Sequence, residues 1–265
     1  MGTSFDPLSR SFDAAAELYE RARPAYPCGL FDDLVQLARL QSGDRLLEIG
    51  CATGKATRPL LERGFSVVCL EPGARLAARA SSNLAGFPVE IHVTPFETWR
   101  GPLERFDLVY AATAWHWLDP AIRYPKAHQL LRPGGHLAFW SALHAFPTGF
   151  DPFFGDIQVV YDEIGESHEG EWPPAPPDKI PDRAGEIEAS GLFEDVNVRR
   201  YVWENKYTAQ EYIDLLNTFS GHISMDAEKR DYLYRQINDR IDARADRRVR
   251  RHWYAILHVA RRTDT

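Results

Sequence analysis

Short apolar runs alternate with amphipathic segments between residues 44 and 140, and this alternation constrains the fold more than any other feature. Such runs are typical of buried parallel strands, and apolar residues spaced three and four apart between them indicate helices. The pattern predicts strands over Arg45–Ile49, Ser66–Leu70, Val89–Val93, Phe106–Ala111 and His136–Trp140, and helices over Thr57–Arg63, Ala74–Ala80 and Ala121–Leu131. We therefore expect a doubly wound α/β fold with a mostly parallel sheet.

Two later segments, Phe193–Tyr207 and Arg251–Arg262, again have strand-like alternation. They would complete a seven-stranded, Rossmann-like sheet. The rest of the chain does not fit the repeating unit, and we expect it to form a lid and a helical cap over the carboxyl ends of the strands. The predicted division is an N-terminal lid segment (1–30), a core (31–143), a lid insertion (144–182) and a sheet completion (183–265) with a cap of one or two helices (208–250).

Composition limits the classes of partner. The 265 residues are 44% hydrophobic, and 31 basic against 38 acidic side chains give a net charge of -7, which disfavours nucleic acid and anionic membranes. No signal peptide or membrane span is evident, so we expect a soluble, cytoplasmic protein, either monomer or homodimer. Cys28, Cys51 and Cys69 are interpreted as small hydrophobic residues. The basic run at 244–251 is interpreted as a solvated helix face and not as a nucleic-acid patch.

Residues 46–55 join an apolar strand to a turn of small residues that opens a helix. A cofactor can approach the backbone of such a turn closely, and Gly50, Ala52 and Gly54 leave the room that it needs. The pattern from Glu48 to Gly54 resembles motif I of class I methyltransferases that use S-adenosylmethionine (SAM), in which a glycine usually stands at the place of Ala52. The alternative is an ordinary strand-turn-helix of another α/β protein. The resemblance implies that Glu48, Gly50, Ala52 and Gly54 bind SAM.

Further candidate cofactor residues follow the second, third and fourth strands. Glu71 ends the second strand, where this architecture places the acceptor for ribose hydroxyls. Because it lies at a strand end, its loss is expected to leave the fold intact. Phe96 and Glu97 resemble the family's adenine-framing element, although they could equally be loop residues. Pro72 and Ala112 are counted with this cofactor site.

The segment after the fourth strand, residues 111–119, resembles the His-Trp-hydrophobic-Asp element of small-molecule methyltransferases such as trans-aconitate methyltransferase and its fungal relatives. Ligands of open α/β sheets bind beyond the carboxyl ends of the strands, so His116 is expected where the methyl acceptor enters. It is either a general base or a residue that only shapes the pocket. Trp115 is expected to contact substrate and to face the sulfonium, or else to pack in the core.

Two segments outside the core also resemble that branch. In residues 19–27, Arg23 is the candidate for the cofactor carboxylate and Tyr19 for substrate, unless the prolines merely fix the path of a surface segment. In residues 215–222, Thr218 and His222 are the candidates for substrate contact, although a single histidine is more often structural.

The predicted function is transfer of a methyl group from SAM to a small molecule by in-line displacement, which requires alignment and no covalent nucleophile. No metal-ligand spacing, Walker lysine pattern or (Asn/Asp)-Pro-Pro-(Tyr/Phe) element is present. An NAD-dependent oxidoreductase is disfavoured, because residues 50–55 lack the G-x-G-x-x-G spacing. A SAM-binding regulatory protein without transfer activity stays open.

Overall fold

The structure, a computed structural model, describes residues 16–168 and 170–264. In this part of the chain the strands are β1 (Arg45–Ile49), β2 (Ser66–Leu70), β3 (Val89–His92), β4 (Phe106–Ala112), β5 (Leu131–Trp140), β6 (Leu143–Ala145), β7 (Phe193–Tyr207) and β8 (Val249–Arg262). The helices are α1 (Ala16–Ala22), α2 (Cys28–Leu37), α3 (Thr57–Leu61), α4 (Ala74–Asn83), α5 (Pro120–Leu130), α6 (Phe153–Asp156), α7 (Gln158–Glu163), α8 (Ala184–Ala189), α9 (Ala209–Leu216), α10 (Ser220–Ser224) and α11 (Ala227–Asp242).

These elements form two compact units. The first, here called the sheet unit, comprises residues 25–142, 181–201 and 255–264. The second, here called the helical unit, comprises residues 16–24, 143–180 and 202–254.

The sheet unit contains the parallel strands that the sequence predicts. The strand order is β3-β2-β1-β4-β5-β8, in which the first five strands are parallel and β8 is antiparallel to β5. This arrangement confirms the mostly parallel α/β fold. β3 ends at His92, one residue before the prediction, and Val93 is 58% exposed.

The helices of the sheet unit begin and end where local chemistry requires. Helix α5 starts after Asp119, whose side chain accepts the Ala121 N–H at 2.8 Å, and Pro120 occupies its first turn. It ends at Leu130 and β5 begins at Leu131, so the Pro-Gly-Gly sequence at 133–135 lies inside that strand and beyond the helix. Helix α4 buries a stripe of Leu76, Ala77 and Ala80, as its apolar spacing predicts.

The core of the sheet unit is made by central strands with long buried runs. In β1 and β2 four of five residues are buried, which is typical of parallel strands covered on both faces. Cys51 and Cys69 belong to this interior, as predicted, but Cys28 is exposed at the start of α2. The interpretation of all three cysteines as hydrophobic residues is therefore wrong for Cys28.

The helical unit contains α1, α6, α7, α9, α10 and α11. Three helices occupy the segment for which one or two were predicted, because Thr208 and Asp226 each cap a new helix. Strand β6 pairs antiparallel with residues 252–254 of β8. Within residues 16–168 and 170–264 it makes eight strands, one more than predicted, and its three residues are too short to be recognised by alternation.

The basic run at 244–251 is not a helix face. Helix α11 ends at Asp242 and β8 begins at Val249, so the run forms a turn and the start of a strand. Arg244 donates to both carboxylate oxygens of buried Asp151 at 2.8 and 2.9 Å. Arg251 is only 5% exposed. The expectation of a solvated helix face is therefore wrong.

Candidate cofactor and acceptor sites

The turn after β1 holds three residues in the left-handed region of backbone conformation. Gly50 has a φ of 70°, Ala52 of 49° and Gly54 of 87°. A Cβ atom at Gly50 would lie 2.7 Å from Ala114 Cβ, and one at Gly54 would lie 2.8 Å from Leu84 Cδ1, so close contacts and positive φ angles together favour glycine at both positions. A non-glycine residue in this region costs roughly 1–2 kcal/mol. Ala52 therefore strains the backbone, beyond adding one methyl group.

The side chain of Glu71 helps to hold this turn. Its Oε2 accepts the Ala52 N–H at 2.9 Å and its Oε1 accepts the Gly73 N–H at 2.8 Å. The residue is only 5% exposed. Strained backbone persists where the surroundings fix it, and this carboxylate supplies part of that constraint. These bonds argue against the expectation that Glu71 can be lost without effect on the fold, which stays a prediction.

Glu48 is a second buried carboxylate beside the turn. Its Oε2 accepts hydrogen bonds from Thr57 Oγ1 at 2.5 Å and from Tyr110 OH at 2.7 Å. Its Oε1 is buried and, among the described residues, has no hydrogen-bond partner. Burial raises the pKa of Glu48 to about 7, against the opposing effect of these two donors. Glu48 is therefore partly protonated near neutral pH and keeps one oxygen for a further partner.

The segment after β3 is held by a lysine that the sequence did not single out. Lys126 Nζ donates to the carbonyl oxygens of Phe96, of Glu97 at 3.1 Å and of Trp99 at 2.6 Å. The Phe96 side chain is 2% exposed and packs in the hydrophobic core, so only its backbone can take the predicted role toward adenine. Glu97 Oε1 accepts the Asp119 N–H at 3.3 Å. No sequence signal distinguishes Lys126 from other helix-surface lysines.

The end of β4 carries another strained residue. Thr113 follows Ala112 and has a φ of 57°, which is a rare conformation for a β-branched side chain. Its Oγ1 lies 2.9 Å from Tyr26 OH and accepts the Ala142 N–H at 3.2 Å. Tyr26 belongs to the segment of residues 19–27, in which only Tyr19 and Arg23 were candidates from the sequence. Backbone strain concentrates at functional sites, so Thr113 and Tyr26 join the candidates.

Trp115 and His116 are neighbours with different environments. Trp115 is 3% exposed, and its ring stacks on Phe139 with centroids 5.0 Å apart. It packs in the hydrophobic core, which favours the alternative that Trp115 is a core residue over contact with the sulfonium or the substrate. His116 is exposed in the short helix Trp115–Trp117. Partial desolvation and the charges of Arg183 and Arg123 lower its pKa, which favours the neutral, proton-accepting ring.

The helical unit brings together three of the predicted residues. Arg23 donates from Nε to Thr218 Oγ1 at 2.8 Å and from Nη2 to the Thr218 carbonyl at 2.7 Å. Its guanidinium lies 5.3 Å from the Tyr19 ring and 4.1 Å from the Phe219 ring. Thr218 is fully buried and donates its only hydroxyl proton to the Leu215 carbonyl at 2.6 Å. Thr218 therefore supports Arg23, and its burial argues against the expected direct contact with substrate.

His222 lies in the same unit. Its Nε2 is 3.0 Å from Tyr161 OH, and its ring stacks on Tyr234 with centroids 6.3 Å apart. Burial, followed by the charges of Arg251 and Arg230, lowers the pKa of His222 to about 4. The ring is therefore neutral near pH 7.

Known proteins are similar to this chain in sequence and in fold. A family model of the methyltransferase domain matches residues 47–139, which run from β1 to β5. An uncharacterised methyltransferase of Mycobacterium tuberculosis is 32% identical over 232 residues, which are 84% of this chain and 82% of the relative. The chain belongs to the methyltransferase family.

Solved structures of methyltransferases have the same fold. A protein assigned as a type II methyltransferase of Anaeromyxobacter dehalogenans superposes with a TM-score of 0.66 at 21% identity, over 90% of this chain and 97% of that chain. Phosphoethanolamine N-methyltransferase 2 of Haemonchus contortus, in complex with SAM, gives a TM-score of 0.58 at 16% identity, over 100% of this methyltransferase and 61% of that chain.

Residues 16–168 and 170–264 contain no group of three or more His, Cys, Asp or Glu side chains placed to hold a metal ion. In that same part of the chain, no helix combines the length and apolar character needed to cross a membrane.

Proposed function

We propose that this methyltransferase uses SAM to methylate a small-molecule acceptor. One observation carries the proposal: the buried Glu71 carboxylate hydrogen-bonds the backbone of the Gly50–Gly54 turn. A carboxylate has about four acceptor positions, so Glu71 can accept ribose hydroxyl protons together with its backbone bonds. The glycine turn and the buried Oε1 of Glu48 are compatible with a nucleoside cofactor beside them.

SAM supplies a methyl group that its sulfonium already activates. The protein has to bind, orient and desolvate the reactants, and such alignment contributes roughly 7–11 kcal/mol. The backbone of Phe96 and the side chain of Glu97 would frame adenine. His116 is the candidate proton acceptor if the methyl acceptor is a phenol or an amine, whereas a carboxylate acceptor needs no base. The resemblance to the trans-aconitate methyltransferase branch supports a small acceptor.

Calorimetry with SAM, S-adenosylhomocysteine and NAD tests the cofactor. We expect SAM and S-adenosylhomocysteine to bind in the micromolar range and to raise the melting temperature, because ligands of the native state stabilise it. NAD binding without SAM binding would refute the proposal. Transfer of labelled methyl groups to a panel of small acids, phenols and amines then distinguishes an enzyme from a regulatory SAM-binding protein.

A further inference from the structure

Arg123 of α5 is a buried cation that contacts the short helix carrying His116. It is 7% exposed, and its Nη1 donates to the carbonyl oxygen of Trp115 at 3.3 Å. Its guanidinium carbon also lies 5.8 Å from the centroid of the Trp115 ring. His116 follows Trp115 directly in the helix Trp115–Trp117. Arg123 therefore holds the backbone of this helix at the residue that precedes the histidine.

The guanidinium of Arg123 is itself fixed by Glu186 of α8, which lies 63 positions further along the chain. Arg123 Nη2 donates to Glu186 Oε1, and Tyr124 OH donates to the same oxygen at 2.9 Å. The other carboxylate oxygen, Oε2, accepts from Arg183 Nη1 at 3.3 Å. Burial of a charge is unfavourable unless the charge is paired, so Glu186 keeps Arg123 ionised and in place.

The same network sets the charge beside the His116 ring, whose aromatic neighbour is Trp117 at 4.8 Å between ring centroids. Partial burial lowers the pKa of His116 most, and the charges of Arg183 and Arg123 lower it further. In the described part of the chain these two arginines are the charged groups that act on the histidine. Glu186 contacts both guanidinium groups, so its negative charge offsets part of their effect on the ring.

We propose that Arg123 is a positioning residue for His116, and that Glu186 holds Arg123 in that role. The planar fork of a guanidinium suits it to bridge a carboxylate and a backbone carbonyl in fixed directions. The alternative is that Arg123 and Glu186 only join α5 to α8, which would contribute to stability without acting on the histidine. The part of His116 in methyl transfer rests on the proposed function, whereas the contacts that position it do not.

The first measurement is the pKa of His116 in the full chain, followed by NMR on the ring Cε1–Hε1 signal that His116→Asn removes. Arg123→Gln deletes a cation, so the pKa of His116 should rise by about 0.3 or more. Glu186→Gln deletes the anion between the two arginines, so the pKa should fall by about 0.3 or more. An unchanged pKa in both folded variants would overturn the proposal, and so would shifts of the same sign.

The second measurement is the backbone amide signal of His116. The Trp115 carbonyl and the His116 nitrogen belong to one peptide unit, so the hydrogen bond from Arg123 polarises that amide. Arg123→Gln should therefore shift the 15N signal of the His116 amide. If this signal stays in place in folded Arg123→Gln, Arg123 does not hold the helix and the positioning role is refuted.

Further variants separate this role from a contribution to folding. Glu188→Gln is the matched control, since Glu188 is exposed on the same helix as Glu186, and it should move neither signal. Arg123→Lys keeps the positive charge without the planar fork, so it should bring the pKa of His116 back towards the wild-type value. If Arg123→Gln does not fold, Glu186→Gln decides the matter, because the Glu186 side chain is 36% exposed and glutamine has nearly the same size. An unchanged pKa of His116 in that variant would then overturn the proposal.

The same samples separate the positioning role from the proposed function. Arg123→Gln should bind S-adenosylhomocysteine as the wild type does. With a phenol or amine acceptor its kcat should fall more than its KM rises, because His116 loses its alignment. If both NMR signals move as stated but SAM and S-adenosylhomocysteine do not bind, the proposed function fails and the positioning role stands. If SAM binds and neither signal moves, only the positioning role fails.

Discussion

Replacement of Glu71 by alanine should weaken both the fold and cofactor binding. The structure gives this buried carboxylate two hydrogen bonds, from the Ala52 N–H at 2.9 Å and the Gly73 N–H at 2.8 Å. A hydrogen bond to a charged group contributes about 1.5–3 kcal/mol. Part of the stability lost with these two bonds is offset, because alanine removes the cost of desolvating the carboxylate. We therefore expect the free energy of unfolding to fall by about 2–3 kcal/mol.

Cofactor affinity should fall separately. Lost bonds to ribose hydroxyls correspond to about 1.5–3 kcal/mol, or roughly 10- to 150-fold in the Kd of S-adenosylhomocysteine. Urea unfolding and calorimetry measure the two effects, and Glu71→Gln should be intermediate because it keeps one acceptor oxygen. Glu90→Ala is the control, since that carboxylate is 64% exposed and should change stability by no more than about 0.5 kcal/mol. Wild-type stability and affinity in Glu71→Ala would refute this account of the turn.

Three further predictions concern single side chains. Since burial raises the pKa of Glu48 from 4.5 to about 7, the folded state holds its proton more tightly, and its contribution to stability should be lost as pH rises from about 4.5 to 7. The difference in unfolding free energy between wild type and Glu48→Gln should change by up to about 3 kcal/mol across that window, and a flat difference would contradict the assignment. If His116 is a base, the rate of methyl transfer should fall as pH drops through its lowered pKa. His116→Asn should then lose roughly 10²–10⁴-fold in rate and the inflection in the pH–rate profile, while its affinity for S-adenosylhomocysteine stays unchanged. A small loss of rate without a pH signature would make His116 a pocket-shaping residue. Thr218→Val should lower the free energy of unfolding by about 1–3 kcal/mol, because Arg23 Nε loses its acceptor. Thr218→Ser keeps the hydroxyl and should resemble the wild type in thermal denaturation. Equal stability of both variants would show that the Thr218 hydroxyl does not support Arg23.

The sequence was sufficient to predict those elements whose residue pattern along the chain directly reflects their secondary structure. β1 and β2 begin and end at the predicted residues, because a buried parallel strand is a continuous apolar run. The glycine requirement at Gly50 and Gly54 was likewise visible, since it follows from turn conformation. Glu71 was found from its spacing after the motif. Its hydrogen bond with Ala52 was not, because that bond joins residues 19 positions apart.

Roles that depend on burial could not be derived from the chain alone. The sequence around a tryptophan is the same whether its ring faces a ligand or packs in the core. Only the packing in the tertiary structure shows that Trp115 is a core residue. Thr218 became a support for Arg23 through a contact across 195 positions.

The sequence by itself determined the α/β fold and the glycine turn after β1, because both depend on neighbours along the chain. The tertiary structure alone decided which polar groups are buried and what compensates them. Arg251 shows the difference, since a run of arginines predicts exposure, whereas its side chain is enclosed among aromatic rings. Burial of a charge is a property of distant residues packed around it, and no local pattern records it.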